Sequence, residues 1–182
     1  MEKSRSVYSR GADNGLILGP LLTVVAIMMG ATSYVPWLFL PTLLGMAVVP
    51  VAVYAMLGRS FRADGGKSTF SALWLQGICA FFFGSLIMGL MVYIAMRWVY
   101  PSYILDQMHM LADMFAARPD PDSQKWVTAI NRSIAEGAVP TPITMAMELI
   151  YVSVFTGSLL SMIMALMIRS RRRGSVPPPF KS

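Results

Sequence analysis

The chain has 182 residues, of which 55% are hydrophobic and only 13% are charged, whereas soluble domains average about 25% charged residues. This composition excludes an ordinary soluble domain, because the charge deficit falls in four long apolar stretches that leave little chain for a second domain. The net charge of +6 comes from basic residues that flank these stretches. That distribution excludes nucleic acid as a partner and favours anionic lipid headgroups.

A helix crosses the hydrocarbon core of a bilayer with about 20 residues, and each apolar stretch reaches that length. We therefore predict an all-α fold, an integral membrane four-helix bundle that forms a single membrane domain over residues 1–182. The predicted spans are 15–34, 36–57, 70–97 and 142–168, with an exported helical hairpin over 101–138 and a basic tail over 169–182.

The first span is expected to begin after Asp13 and Asn14, which are typical residues at a helix start. It contains Gly15 and Gly19, a spacing that lets two helix backbones approach closely. The sequence leaves open whether the neighbouring helix belongs to this chain or to a second copy.

A tight turn at Pro36 leads into the second span, which contains Pro41 and Pro50. These prolines fit either plain kinks or a broken helix at a transport site. The connection that follows contains Gly65-Gly66-Lys67-Ser68-Thr69, but it lacks the earlier glycine and the preceding strand of a phosphate-binding loop. We therefore predict a turn and a helix cap there.

The third and fourth spans differ in their patterns. The stretch Phe70–Tyr100 is longer than a bilayer requires, so the helix is expected to tilt or to project outward. The fourth span has small residues at every fourth position, which predicts a ridge against a close helix neighbour in this chain or in another. That ridge consists of Ser153, Gly157, Ser161 and Ala165.

Between the last two spans, apolar residues recur with helical spacing in two short segments. Asp120-Pro121 is typical of the start of the second helix, and Glu136-Gly137 is typical of its end. Three interpretations of this hairpin remain open. It covers the outer end of the bundle, lies in the outer headgroup layer, or binds a partner.

The basic residues are unevenly distributed around the spans. Eleven of the fifteen lie in the N-terminal segment, the second connection and the C-terminal tail, which four spans place on one side. Because basic loops stay cytoplasmic, we predict a multi-pass membrane protein with both termini cytoplasmic. Headgroup contacts are predicted for a C-terminal group of arginines, namely Arg169, Arg171, Arg172 and Arg173.

Few residues carry chemistry. Arg97 and Glu148 both fall at the predicted outer boundary, where we expect an ion pair. His109 shares a helix face with Asp106 and Asp113. This arrangement is typical of a solvated polar face, and a weak metal site is the less favoured interpretation. Since no catalytic set is recognisable, we predict no enzyme activity, no cofactor and no metal ion.

Three segments carry a family resemblance: Asn14–Gly19, Gly65–Ala72 at the entry to the third span, and Val99–Met108 before the hairpin. With this layout the chain resembles an uncharacterised family of small four-span bacterial inner-membrane proteins that carry a domain of unknown function, best known in Bacteroidota. The resemblance implies the same four-span fold and a location in the bacterial inner (plasma) membrane. It implies no activity and no functional residues.

The leading functional interpretation is an accessory or scaffold subunit that acts by helix packing, with lipids and either a membrane protein partner or a second copy as its partners. The alternative is a small transporter or lipid-handling protein. Transport needs a polar cavity at the midplane, and the best candidates for its lining are Gln76, Thr156 and Ser158. A dry core with an apolar outer groove favours the accessory interpretation.

Overall fold

A computed structural model gives the structure of the chain, and it describes residues 6–118 and 120–173, with the side chains of 171–173 excepted. Over these residues the chain is helical and contains no β-strand. Four of its helices are long and apolar enough to cross a membrane. The predicted all-α class and the four spanning helices are thereby confirmed.

Six α-helices follow one another along the described part of the chain. A 3-10 turn, Pro36–Leu38, precedes the second helix, and a π-helical turn, Ala95–Val99, follows the third. The six are α1 (Val7–Ala31), α2 (Phe39–Ala63), α3 (Phe70–Ile94), α4 (Tyr103–Ala116), α5 (Pro121–Ala135) and α6 (Pro142–Arg173).

The chain divides into two compact units. The first comprises Met1–Leu90 with Leu149–Ser182, and the second comprises Met91–Glu148. In the first unit, α1 and α3 are the more buried helices, with 33% and 39% of their most apolar segments buried, against 17% for both α2 and α6. These two helices therefore form the centre of the first unit, and α2 and α6 expose apolar side chains at its surface, as expected where lipid replaces water.

The start of α1 differs from the prediction. The helix begins at Val7, and its cap is Ser6, whose hydroxyl oxygen accepts a hydrogen bond from the Tyr8 amide at 3.2 Å. Asp13 and Asn14 therefore lie inside the helix and do not cap it. The prediction took the onset of the apolar run as the helix start, but backbone hydrogen bonding continues for two turns outside the apolar segment.

The two prolines of α2 lie in different parts of the helix. Pro41 lies in the first turn, where backbone amides have no intrahelical acceptor in any case. Pro50 is the proline within the body of the helix.

The far end of α6 also departs from the prediction, because the helix continues to Arg173 and not to 168. The backbone of Arg169–Arg173 thus forms the last turns of α6.

The second unit contains the hairpin of α4 and α5. Ile104 and Ala112 of α4 and Ile130 of α5 are buried, and Phe115 stacks on Trp126 with ring centroids 6.2 Å apart. These contacts join the two helices along their apolar sides, as the helical spacing in the sequence indicated.

Both ends of α5 match their predicted signals. Asp120 caps the helix, with its carboxylate accepting from the Ser123 amide at 2.7 Å and from the Ser123 hydroxyl at 2.6 Å. These two bonds lower the pKa of Asp120 below its usual range. Pro121 occupies the first helical position, and Gly137 follows the helix with φ of 67°, a conformation that favours glycine.

Candidate functional site

The first helix contact is made by glycines of α1 against α3. A Cβ added at Gly15 would lie 2.6 Å from the Phe83 Cβ, and one added at Gly19 would lie 2.9 Å from Ile87. Opposite them, a Cβ at Gly84 would lie 3.3 Å from the Gly19 nitrogen. The two backbones are thus so close that only glycine fits, and Gly15 and Gly19 pack inside the chain.

The glycine row of α1 is longer than the sequence reading recognised. Gly11 lies four residues before Gly15 and is also buried, and a Cβ there would overlap the Cys79 side chain. The four-residue spacing was visible in the sequence, but the predicted helix began too late to include Gly11. The contact therefore extends over three glycines, or about 12 Å of helix.

The second contact joins α6 to α3. The ring of Phe81 lies directly over Gly157, and Ser161 lies over Gly77, so that an added Cβ at either glycine would overlap its neighbour. Ser161 and Ala165 are completely buried. The Trp74 indole adds a hydrogen bond of 3.1 Å to the carbonyl oxygen of Ser158. The predicted ridge of α6 thus faces a helix of its own chain.

These contacts decide how the small residues are used. Within the first unit, α3 receives the glycines of α1 on one part of its surface and the ridge of α6 on another. The exposed surfaces of α2 and α6 instead present large side chains such as Leu44, Val51, Tyr151 and Phe155. Close backbone packing therefore closes the bundle itself, and the exposed surfaces of these helices are broad apolar faces.

A polar cluster joins α1 to the end of α2. The Arg10 guanidinium donates to the Asp64 carboxylate at 2.7 Å, and the Ser68 hydroxyl donates to the other carboxylate oxygen. Both charged side chains are partly exposed. Nothing in the sequence signals this pair, because 54 residues separate its members.

The hydroxyl of Ser68, and secondly the Arg10 guanidinium, hold the pKa of Asp64 below its ordinary value. A carboxyl with a depressed folded-state pKa stabilises the fold above its unfolded-state pKa, and this contribution is lost as pH falls through the folded-state value. The folded protein in detergent is therefore expected to lose stability below about pH 3.9 more steeply than an Asp64→Asn variant. Thermal unfolding against pH measures both slopes, and parallel curves would contradict the role of Asp64.

Two of the three polar residues considered for transport bond to near neighbours. Gln76 is only 3% exposed, and its amide donates to the Ser60 hydroxyl at 2.6 Å. Thr156 is exposed on α6, and its hydroxyl donates to the Val152 carbonyl of its own helix at 2.7 Å. Gln76 and Thr156 thus have separate hydrogen-bond partners and do not share one.

Arg97, Glu148 and the residues around His109 lie in the second unit. Within the described part of the chain, no ion pair joins Arg97 to Glu148, and both side chains are exposed. A shared depth does not fix the direction in which each side chain leaves its helix, and Arg97 lies on the π-helical turn. Among the described residues, no three of the His, Cys, Asp and Glu side chains group to hold a metal ion, so the set around His109 forms no such site.

An apolar groove of about 340 Å³ lies between the end of α1 and the start of α2. Its polar groups belong to threonine and serine, and the Thr32 and Thr42 hydroxyls bond to carbonyl oxygens of their own helices. The groove is therefore an apolar surface without acid or base groups. It is lined by Met29, Thr32, Ser33, Phe39, Thr42, Leu43 and Met46.

The C-terminal arginines are described in part. Arg169 is exposed near the end of α6. The side chains of Arg171, Arg172 and Arg173 and the segment 174–182 lie outside the described residues.

Comparison with known proteins identifies the family. The model of DUF4199, described as a protein of unknown function, matches residues 14–170. The chain belongs to the DUF4199 family. The match covers both compact units and confirms the resemblance to a family that carries a domain of unknown function. Neither the curated proteins nor the solved structures provide a match.

Proposed function

We propose that this DUF4199 member is a non-enzymatic accessory or scaffold subunit of the bacterial inner membrane, with both termini cytoplasmic. It would act through its apolar helix surfaces and its hairpin, by contact with lipids and with a membrane protein partner. The observation that carries this proposal is the close packing of α3 against α1 and α6.

The packing supports this role because backbone and apolar atoms fill the space between the helices. Gly15 and Gly157 have no space for even one additional carbon, and cores packed to this density leave no room for a ligand. The buried Gln76 finds its partner in Ser60. What the first unit offers to another molecule is therefore its outer surface.

The alternative, a lipid-handling protein, is favoured by one observation, the apolar groove between α1 and α2. Its lining of Met29, Phe39, Leu43 and Met46 suits an acyl chain, while its hydroxyls supply no charge for a headgroup. Transport of a polar solute has less support, because Gln76 and Thr156 bond to separate partners, Ser60 and the Val152 carbonyl.

Site-specific photo-crosslinking in cells at native expression level tests the accessory role. A photoreactive phenylalanine at Phe155, which is 68% exposed, is expected to give an adduct with one membrane protein. The same group at Leu73, which is 1% exposed, serves as the matched control and is expected to give none. Mild detergent co-purification with mass spectrometry identifies the partner and bound lipid. The photoreactive group is also placed at Leu44. The accessory role is refuted if both positions crosslink only to lipid and the purified preparation contains no other protein.

A further inference from the structure

The charged residues in the described part of the first unit lie at one end of its helices. Three ranges of this unit contain no charged residue, namely 14–58, 68–90 and 149–168. Charge is therefore confined to the start of α1, the end of α2 with its connection to α3, and the end of α6. These ends adjoin, because Arg10 of α1 bonds to Asp64 at the end of α2, and Ser161 of α6 packs on Gly77 near the start of α3.

Positive charge is in excess at that end. Its described residues include two acidic side chains, Asp13 and Asp64, and five basic ones, namely Arg10, Arg59, Arg62, Lys67 and Arg169. Asp64 is the acidic residue of the connection between α2 and α3, and Arg10 and Ser68 donate to its two carboxylate oxygens. Arg10 of α1 thus supplies the counter-charge of Asp64, and the basic residues beside Asp64 in the sequence do not.

These neighbours form a basic cluster that consists of Arg59, Arg62 and Lys67. All three side chains are exposed, and within the described part of the chain none of them forms an ion pair. Arg59 and Arg62 are three residues apart and share a side of α2. The chain then turns back, because the Lys67 amide donates to the Asp64 carbonyl oxygen at 3.2 Å. Lys67 therefore lies beside the last turn of α2.

The basic cluster lies where a candidate span ends. The segment Pro36–Ala63 is long and apolar enough to cross a membrane, and Arg59 is the first charged residue after its apolar part. Arginine and lysine side chains at the end of a span extend into the headgroup layer, where guanidinium and ammonium groups bind phosphate. Three unpaired cations at this depth are complementary in charge to an anionic lipid headgroup.

We propose that Arg59, Arg62 and Lys67 form a binding site for the phosphate headgroup of an anionic phospholipid, and that Arg10 keeps this site free by holding Asp64. A zwitterionic headgroup fits the site less well, because its own ammonium group is repelled by the three cations. The site does not depend on the accessory role, since it concerns lipid and no protein partner.

Native mass spectrometry of the delipidated full chain in mild detergent tests the site. The chain is titrated with phosphatidylglycerol and with phosphatidylcholine of the same acyl chains. Phosphatidylglycerol is expected to bind at least about fivefold more tightly, the effect of one cation near a lipid surface. Replacing Arg59, Arg62 and Lys67 together by glutamine is expected to abolish most of this preference.

Three basic residues of the second unit provide the matched control. Replacing Arg118, Lys125 and Arg132 by glutamine removes the same charge from the chain and is expected to preserve the preference. A conservative variant with Arg59→Lys and Arg62→Lys keeps the charge of the cluster and is also expected to preserve it.

A second pair of variants tests the role of Arg10. Arg10→Gln leaves the Asp64 carboxylate without its counter-charge, so the affinity for phosphatidylglycerol is expected to fall. Adding Asp64→Asn to that variant removes the carboxylate charge and restores the native net charge, so the affinity is expected to recover. This pair also tests the site should the triple glutamine variant fail to fold, and an affinity that is equal in the native chain and in both variants would overturn the role of Arg10.

Three results would overturn the lipid site. Equal affinity of the native chain for the two lipids would show that the cluster selects no headgroup. A preference for phosphatidylglycerol that survives in the triple variant, or that falls equally in the matched control, would assign the lipid to other basic residues. Displacement of phosphatidylglycerol by millimolar inorganic phosphate would identify a soluble phosphate as the ligand of the cluster.

Discussion

Replacing Gly157 by alanine is expected to lower the free energy of unfolding by about 1–3 kcal/mol, the usual cost of overpacking a well-filled core. The reason is geometric, because the added Cβ would overlap the ring of Phe81. Either α6 moves away from α3 or the ring leaves its position, and both changes break contacts along the ridge. Thermal unfolding or steric trapping of the purified protein in one detergent measures the change.

The chain offers a matched control for this substitution. Gly58 lies within α2, and a Cβ added there would meet nothing within 4 Å. Gly58→Ala is therefore expected to leave stability unchanged or to raise it by up to about 1 kcal/mol, the helix-propensity difference between the two residues. Replacing Phe81 by the smaller leucine in the Gly157→Ala variant is expected to recover part of the lost free energy of unfolding. Equal effects of the substitutions at 157 and 58 would mean that the contact with Phe81 does not hold α6.

Replacing Arg169, Arg171, Arg172 and Arg173 by glutamine is expected to weaken or invert the orientation of the last span. Basic residues beside a span retain that end in the cytoplasm, and each contributes about 1 kcal/mol of attraction to anionic lipid near the surface. The substitution removes four of the five basic residues that follow Ile168. Reporter fusions at the C-terminus, one active in the cytoplasm and one active outside it, measure the orientation.

Four other basic residues of the chain serve as the control for this substitution. Arg97 lies at the outer end of the third predicted span, and Arg118, Lys125 and Arg132 lie in the connection that follows it. Replacement of these four by glutamine is expected to preserve the orientation or to strengthen it. Both sets remove four positive charges, so net charge alone cannot explain a difference. An unchanged orientation in the first variant would refute the anchoring role of the C-terminal arginines.

Local signals were read correctly from the sequence where the structure they produce is also local. Asp120 and Pro121 start α5 because a carboxylate and a ring constrain the neighbouring backbone directly. The start of α1 was missed because apolar composition reports the depth of the membrane and not the first backbone hydrogen bond. The end of α6 was missed for the same reason, since arginine is a good helix former and continues the helix beyond the apolar segment.

Contacts between residues that are far apart along the chain could not be predicted from the sequence. The ion pair of Arg10 with Asp64 joins residues on different helices, and neither residue differs in its local pattern from a solvated charge. The ion pair expected between Arg97 and Glu148, in contrast, is not found among the described residues. Two charges at one predicted depth still need the same direction around their helices, and that direction is set by how the helices pack.

The sequence by itself determined that four helices in the described part of the chain are long and apolar enough to cross a membrane, because the length and polarity of a span must match the bilayer whatever else the helix contacts. It also marked small residues at every fourth position of the first and fourth spans. Only the tertiary structure decided what those residues do. The glycines of α1 and the ridge of α6 both face α3, because close backbone approach needs a particular partner helix, which periodicity does not specify. The same packing leaves large apolar side chains of α2 and α6 exposed.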